Sequence, residues 1–156
     1  MNYDVAQICE NGHVINSWST SSPEHNENFC NKCGMPTITN CPHCKAAIRG
    51  NILDDYPILN FEAPRFCSNC GNPYPWTQTR LTAAIELAGE LENVDENDKA
   101  ILVKSINDMV KETPVAPIAA TRFKRIMVKV GTTTSLMFRD ILVDVLSEAA
   151  RKVLFP

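Results

Sequence analysis

The chain has 156 residues, 44% of them apolar, and a formal net charge of −3. That length allows one ordinary domain or two small ones, and the absence of an apolar run of about 18 residues excludes a helical membrane span. The N-terminus, MNYDVAQICE, has neither the basic start nor the apolar stretch of a secretory signal, so a cytoplasmic location is the expectation.

Residues 1–76 are rich in Cys, Asn, Pro and Gly and hold all seven cysteines. An odd cysteine count in a chain without a signal argues against a disulfide framework, whereas metal binding accommodates it if a histidine adds an eighth ligand. The apolar pieces HVINSW and KAAIRGNI read as short strands between turns. So small a region buries little apolar surface, and zinc would supply the folding free energy that a core does not.

Residues 77–156 change to helical periodicity. A first helix carries Leu81, Ala84, Ile85, Ala88 and Leu91 on one face, with Thr77 or Thr79 as N-cap. A second runs from about Asp95 to Glu112 and ends at Thr113-Pro114. A third, from about Pro117 to Val130, stops at Gly131. The last is read as one continuous helix, Leu136 to Leu154, with hydroxyl caps in GTTTS. The fold class is therefore small α+β: tandem zinc ribbons followed by a bundle of about four helices.

Four ligand pairs stand out: Cys9/His13, Cys30/Cys33, Cys41/Cys44 and Cys67/Cys70. Two thiolates spaced Cys-x-x-Cys grip one ion from a tight turn, and two such turns complete a tetrahedron. His25 rivals His13 as the eighth ligand but sits in the polar stretch SSPEHNEN; His43 lies inside a knuckle and points outward. Sequential pairing gives sites over 9–33 and 41–70, with spacers of 16 and 22 residues, close to the ribbon range of about 15–20. Nested pairing would join Cys30/Cys33 to Cys41/Cys44, and crossed pairing would join alternate pairs. A repeat favours the sequential arrangement: FCNKCGMP and FCSNCGNP both read F-C-x-x-C-G-x-P, and each closes a segment opened by another pair. Phe29 and Phe66, which start these motifs, are expected to pack internally.

The motifs AQICENGHVIN, FCNKCG, TITNCPHCKAAIRG and FCSNCGNPYPWT resemble a bacterial family of uncharacterised proteins, domain of unknown function 2321. The resemblance covers about the first half of the chain. It implies a bacterial source and paired ribbon-like zinc sites, with Cys9, His13 and the six knuckle cysteines on its pattern. It implies no reaction.

Eight protein ligands for two zinc ions leave no position open for a catalytic water, so no enzymatic activity is expected. His25-Asn26-Glu27 matches the H-x-E of zinc deaminases, but the accompanying P-C-x-x-C is absent. A phosphate loop, G-x-S-x-G and H-E-x-x-H are absent too.

Four basic residues against seven acidic ones leave residues 1–76 at −3, and zinc–thiolate sites add about −3 more. That disfavours a broad phosphate-binding surface there. In the helical part, RFKRIMVK concentrates Arg122, Lys124, Arg125 and Lys129, which form either a solvated face or an anionic-ligand contact. Trp18, Tyr56, Phe61, Tyr74 and Trp76 are candidate anchors for a protein partner or for internal packing. The expected function is a non-catalytic zinc-binding adaptor. Its ribbons present a protein-interaction surface, and its helices mediate partner or self association. The alternative is a nucleic-acid-binding regulator using residues 122–129.

Overall fold

The structure, a computed structural model, describes residues 2–54 and 58–156. Tyr56 therefore lies outside the described residues. The chain forms two compact units, Met1–Thr79 and Arg80–Pro156. Among the described residues, no helix is long and apolar enough to cross a membrane.

Among the described residues, five short strands build the first unit: β1 (Tyr3–Val5), β2 (Gln7–Cys9), β3 (Val14–Asn16), β4 (Thr37–Ile38) and β5 (Arg49–Ile52). HVINSW supplies β3 and KAAIRGNI supplies β5, short strands between turns as expected. β2 is the centre of a three-stranded antiparallel sheet, between β3 and β4. The stretch between Cys33 and Cys41 thereby joins the sheet, since Ile38 and Thr37 pair with Ile8 and Cys9. β1 pairs antiparallel with β5, and the Ala6 N–H donates to the Ile48 carbonyl at 2.8 Å.

The two ribbons thus interlock and share one core. Ala6, Ile8, Ile48, Tyr74 and Trp76 cluster with the sulfurs of Cys41 and Cys67, and Phe61 packs at the edge. Tyr74 stacks on Trp76 with ring centroids 4.8 Å apart. Trp76 donates its indole N–H to the Pro64 carbonyl at 2.8 Å. Gly12 has φ +90°, and a Cβ there would lie 2.9 Å from Trp76 Cβ, so this turn requires glycine both for conformation and for space.

Buried polar side chains organise the loops around this core. The Asp4 carboxylate accepts from the Val5, Thr20 and Ser21 N–H groups at 2.6, 2.9 and 3.0 Å and from the Ser21 hydroxyl. Burial alone would raise its pKa, but the Ser21 hydroxyl and these N–H donors outweigh it and hold the carboxyl below its ordinary 3.8. Asn51 accepts from the Ile52 and Ile58 N–H groups and donates to the Ile58 carbonyl, closing a loop with one side chain. Phe29 corrects the sequence reading. It is 64% exposed, whereas Phe66, which makes the matching bridge to Pro73, is half-buried, so the shared knuckle geometry does not by itself bury this side chain.

The remaining chain is helical: α1 (Pro75–Gly89), α2 (Glu96–Met109), α3 (Ala116–Val130), α4 (Thr132–Leu142) and α5 (Glu148–Leu154). α1 starts before either predicted cap. Pro75 fits its first turn, and Thr77 is buried with its hydroxyl donating to the Arg65 carbonyl at 2.8 Å. Asp95 caps α2 by accepting from the Asp98 N–H at 2.8 Å. α3 is the hub of the second unit, packing against α2, α4 and α5.

The long last helix of the sequence reading is two helices. Ser147 breaks it: its N–H donates to the Met109 carbonyl at 2.8 Å, and its hydroxyl accepts from the Ala150 N–H to cap α5. Val145 and Leu146 are buried in the intervening turn, so the apolar period runs on while the helix does not. The threonines of GTTTS lie inside α4, whose cap position is Gly131.

Candidate metal centres

Three knuckles share one backbone plan. In each, the first cysteine's N–H donates to the residue five positions on (Met35, Ala46 or Asn72), and its carbonyl accepts from the residue four on (Gly34, Lys45 or Gly71). Isolated bridges Phe29–Pro36, Asn40–Ala47 and Phe66–Pro73 close the turns. The position after the second cysteine is left-handed in all three: φ is +74° at Gly34, +76° at Gly71 and +65° at Lys45. Lys45 is the residue that sequence reasoning could not place, since no glycine marks its turn. The Asn40 side chain donates to its carbonyl at 2.9 Å, and its ammonium reaches the Pro42 carbonyl at 3.1 Å.

The fourth turn is built differently. The Cys9 N–H donates to the His13 carbonyl at 3.0 Å, and the Gly12 N–H donates to the Cys9 carbonyl at 2.8 Å. This hairpin end of β2 brings His13 Nδ1 to 3.4 Å from Cys9 Sγ and 3.5 Å from Cys30 Sγ.

Two quartets result, Cys9/His13/Cys30/Cys33 and Cys41/Cys44/Cys67/Cys70, with the ligand atoms of each within 4.8 Å of one another. These are the sequential pairs. His25 belongs to neither; it sits in a 3-10 turn, Pro23–His25, beside the exposed Glu24 carboxylate. His43 is exposed.

The spacings fit an ion. Sulfurs bound at 2.3 Å around a tetrahedral centre lie about 3.8 Å apart, and a sulfur and an imidazole nitrogen about 3.5 Å apart. The Sγ–Sγ separations are 3.8 Å for Cys9–Cys33, 3.8 Å for Cys41–Cys70 and 3.6 Å for Cys44–Cys67. Such separations are far too long for disulfides. Both quartets are thus metal-binding arrangements with four soft or borderline donors each.

Backbone and side-chain N–H groups prepare the sulfurs for charge. The Met35 N–H is the largest influence drawing the Cys33 thiol down to about 6. The Cys70 N–H does the same for Cys67, also to about 6. The Asn69 side chain leads the lowering at Cys44. Burial pushes the Cys9 thiol up, so a proton competes with metal there. Two further residues escaped the sequence reading. Asn72 donates from its side chain to Cys70 Sγ at 3.4 Å. Tyr74 is buried, and that burial, followed by the hydrogen bond between its hydroxyl and Cys67, raises its pKa well above the ordinary phenol value. The CGNP motif hints at the first, while no local signal marks the second.

The basic segment divides. Arg122, Arg125 and Lys129 line a groove with Asp98 and Lys104, whereas Lys124 reaches toward the Val153 carbonyl, 3.5 Å away. Lys129 is paired with Asp98 at 2.7 Å, which raises its pKa, and Lys104 with Asp108 at 2.8 Å. Among the described residues, Arg122 and Arg125 form no ion pair.

A family described as an uncharacterised protein conserved in bacteria, domain of unknown function 2321, matches residues 2–154, and the chain belongs to it. The match extends across the helices, which the sequence resemblance did not reach. No curated protein and no solved structure matches the chain.

Proposed function

We propose that this member of the family is a non-catalytic adaptor in which two structural zinc ions rigidify a protein-interaction surface. The carrying observation is that each quartet spends four protein donors at tetrahedral spacing, which leaves no place for a metal-bound water nucleophile. Thiolate-rich sites with one or no imidazole favour zinc among the common divalent ions. Zinc at Cys9, His13, Cys30 and Cys33 and at the four remaining cysteines contributes folding energy and no chemistry. Apolar side chains are correspondingly displayed on the first unit: Phe29, Leu53, Ile58 and Leu59, the last 90% exposed. Exposed aromatic and aliphatic anchors on a rigid frame suit a protein partner, and the acidic balance of the ribbon half weighs against a polyanion. The helices are proposed to serve partner or self association.

The test is capture from a bacterial host whose own genome encodes the chain, using the zinc-loaded protein and its Phe29→Ser/Leu59→Ser variant. The reading expects a protein partner retained by the first and lost by the second. Recovery of nucleic acid alone would overturn it.

A second reading, a nucleic-acid-binding regulator, rests on the unpaired Arg122 and Arg125 beside Lys104 and Lys129. It expects retardation of DNA or RNA that weakens steeply with salt and on Arg122→Glu/Arg125→Glu substitution. A flat titration at low salt would remove it.

A further inference from the structure

The second unit contains an apolar groove between α3, α4 and α5 that neither the metal sites nor the basic segment explains. Its floor is Phe123, Phe138, Leu142 and Leu146, all buried, with Phe123 and Phe138 meeting edge to face at 5.6 Å. Leu136 and Phe155 form the mouth and are partly exposed.

Two of its lining side chains carry charge, and both are cations: Lys124 and Arg139. Both reach the C-terminal end of α5. Lys124 Nζ is 3.5 Å from the Val153 carbonyl, and the Arg139 guanidinium lies 5.1 Å over the Phe155 ring. Among the described residues neither forms an ion pair. Thr132 and Ser135 are its uncharged polar lining residues, and the Ser135 hydroxyl is engaged with the Met127 and Gly131 carbonyls. An apolar trough with two uncompensated cations at one end is complementary to an apolar tail bearing a single anionic head.

Size narrows the class. The cavity of about 250 Å³ equals roughly eight waters at liquid density, near 30 Å³ each. That space holds a short hydrocarbon chain. It is too small for the successive anchors of an amphipathic helix, which needs an extended groove.

We infer that this groove binds a small amphiphilic monocarboxylate, such as a medium-chain fatty acid, with the carboxylate between Lys124 and Arg139 and the chain over Phe138 and Leu142. The site is independent of both metal centres and of the adaptor reading.

Calorimetric titration of the full zinc-loaded chain with decanoate, below its micelle concentration, tests the assignment. Saturable one-to-one binding is expected, about tenfold weaker for Lys124→Ala/Arg139→Ala and for 1-decanol, which keeps the chain but lacks the charge. Both substituted side chains are solvent-exposed, so folding should survive, and far-UV circular dichroism checks that it does. Leu136→Trp, which narrows the mouth, should abolish binding with both cations intact. Absence of saturable binding would overturn the inference, as would binding equal for decanol and decanoate. Self-association through this face that decanoate does not displace would also overturn it.

Discussion

The two units contain nearly equal lengths of chain and hold themselves together by different means. The helical unit buries Leu102, Ile106, Met109, Phe138, Leu142 and Leu146 almost completely, and Ser105 and Ser147 are its buried polar side chains among the described residues. The metal unit buries few large apolar groups, chiefly Ile8, Ile48, Tyr74 and Trp76, and also encloses Asp4, Gln7, Asn16, Ser17, Ser19 and Asn51. Where a chain folds into short strands and turns, backbone polar groups outnumber apolar contacts, and order has to come from side-chain hydrogen bonds and metal ligation. Equal length therefore does not mean equal stability without metal.

Stripping the metal should break the comparison most visibly. Structural zinc contributes on the order of 10 kcal/mol or more per site, so a strong chelator is expected to unfold the first unit and leave the second. Both tryptophans, Trp18 and Trp76, lie in the first unit. Their fluorescence should shift to that of solvated indole while most of the helical circular dichroism persists. Simultaneous loss of both signals would mean that the helices depend on the metal.

The converse substitution is Leu142→Ala. Emptying this fully buried site should cost about 2–5 kcal/mol, lowering the helical melting temperature with two metals still bound by native mass spectrometry. Gly12→Ala comes next. It puts a Cβ against Trp76 in a left-handed turn, at about 1–3 kcal/mol, and metal competition assays should show the first site weakened more than the second.

Asp4→Asn is comparable or smaller, about 1–3 kcal/mol at neutral pH, because N–H donors would then face an amide. Its pH dependence has a definite sign. The folded pKa of Asp4 is depressed, so its stabilisation is complete above the unfolded value near 4 and is lost as pH falls through the folded value. Denaturant midpoints of wild type and variant should converge over that acidic window. The smallest effect is a gain: Lys45→Gly relieves a left-handed lysine and should stabilise the second site's unit by a few tenths to about 1 kcal/mol.

The metal ligands were legible because their chemistry is local. Cys-x-x-Cys with a following glycine or proline is a turn and a ligand pair at once, and the repeated F-C-x-x-C-G-x-P correctly favoured the sequential partition. The knuckle at Cys41/Cys44 carried the first signal without the second, since Lys45 accepts the strained conformation with help from Asn40. What sequence could not convey was long-range. β1 pairing with β5 and the Asp4 loop anchor join residues whose separation along the chain leaves no period. The break at Ser147 was hidden for a related reason: apolar spacing reports burial, and Val145 and Leu146 remain buried through a turn. Hydroxyls in GTTTS and at Thr77 suggested caps by type alone, but at Thr77 a tertiary carbonyl claimed the hydroxyl.

The most direct test of the account is the partition of two closed metal sites. Cadmium-substituted protein should give two ¹¹³Cd resonances, one in the range of three sulfurs and one nitrogen and the other in the range of four sulfurs. Cys30→Ser should abolish or shift only the first, and Cys41→Ser only the second. Loss of the same resonance in both variants, or a single resonance in the unsubstituted protein, would contradict the account.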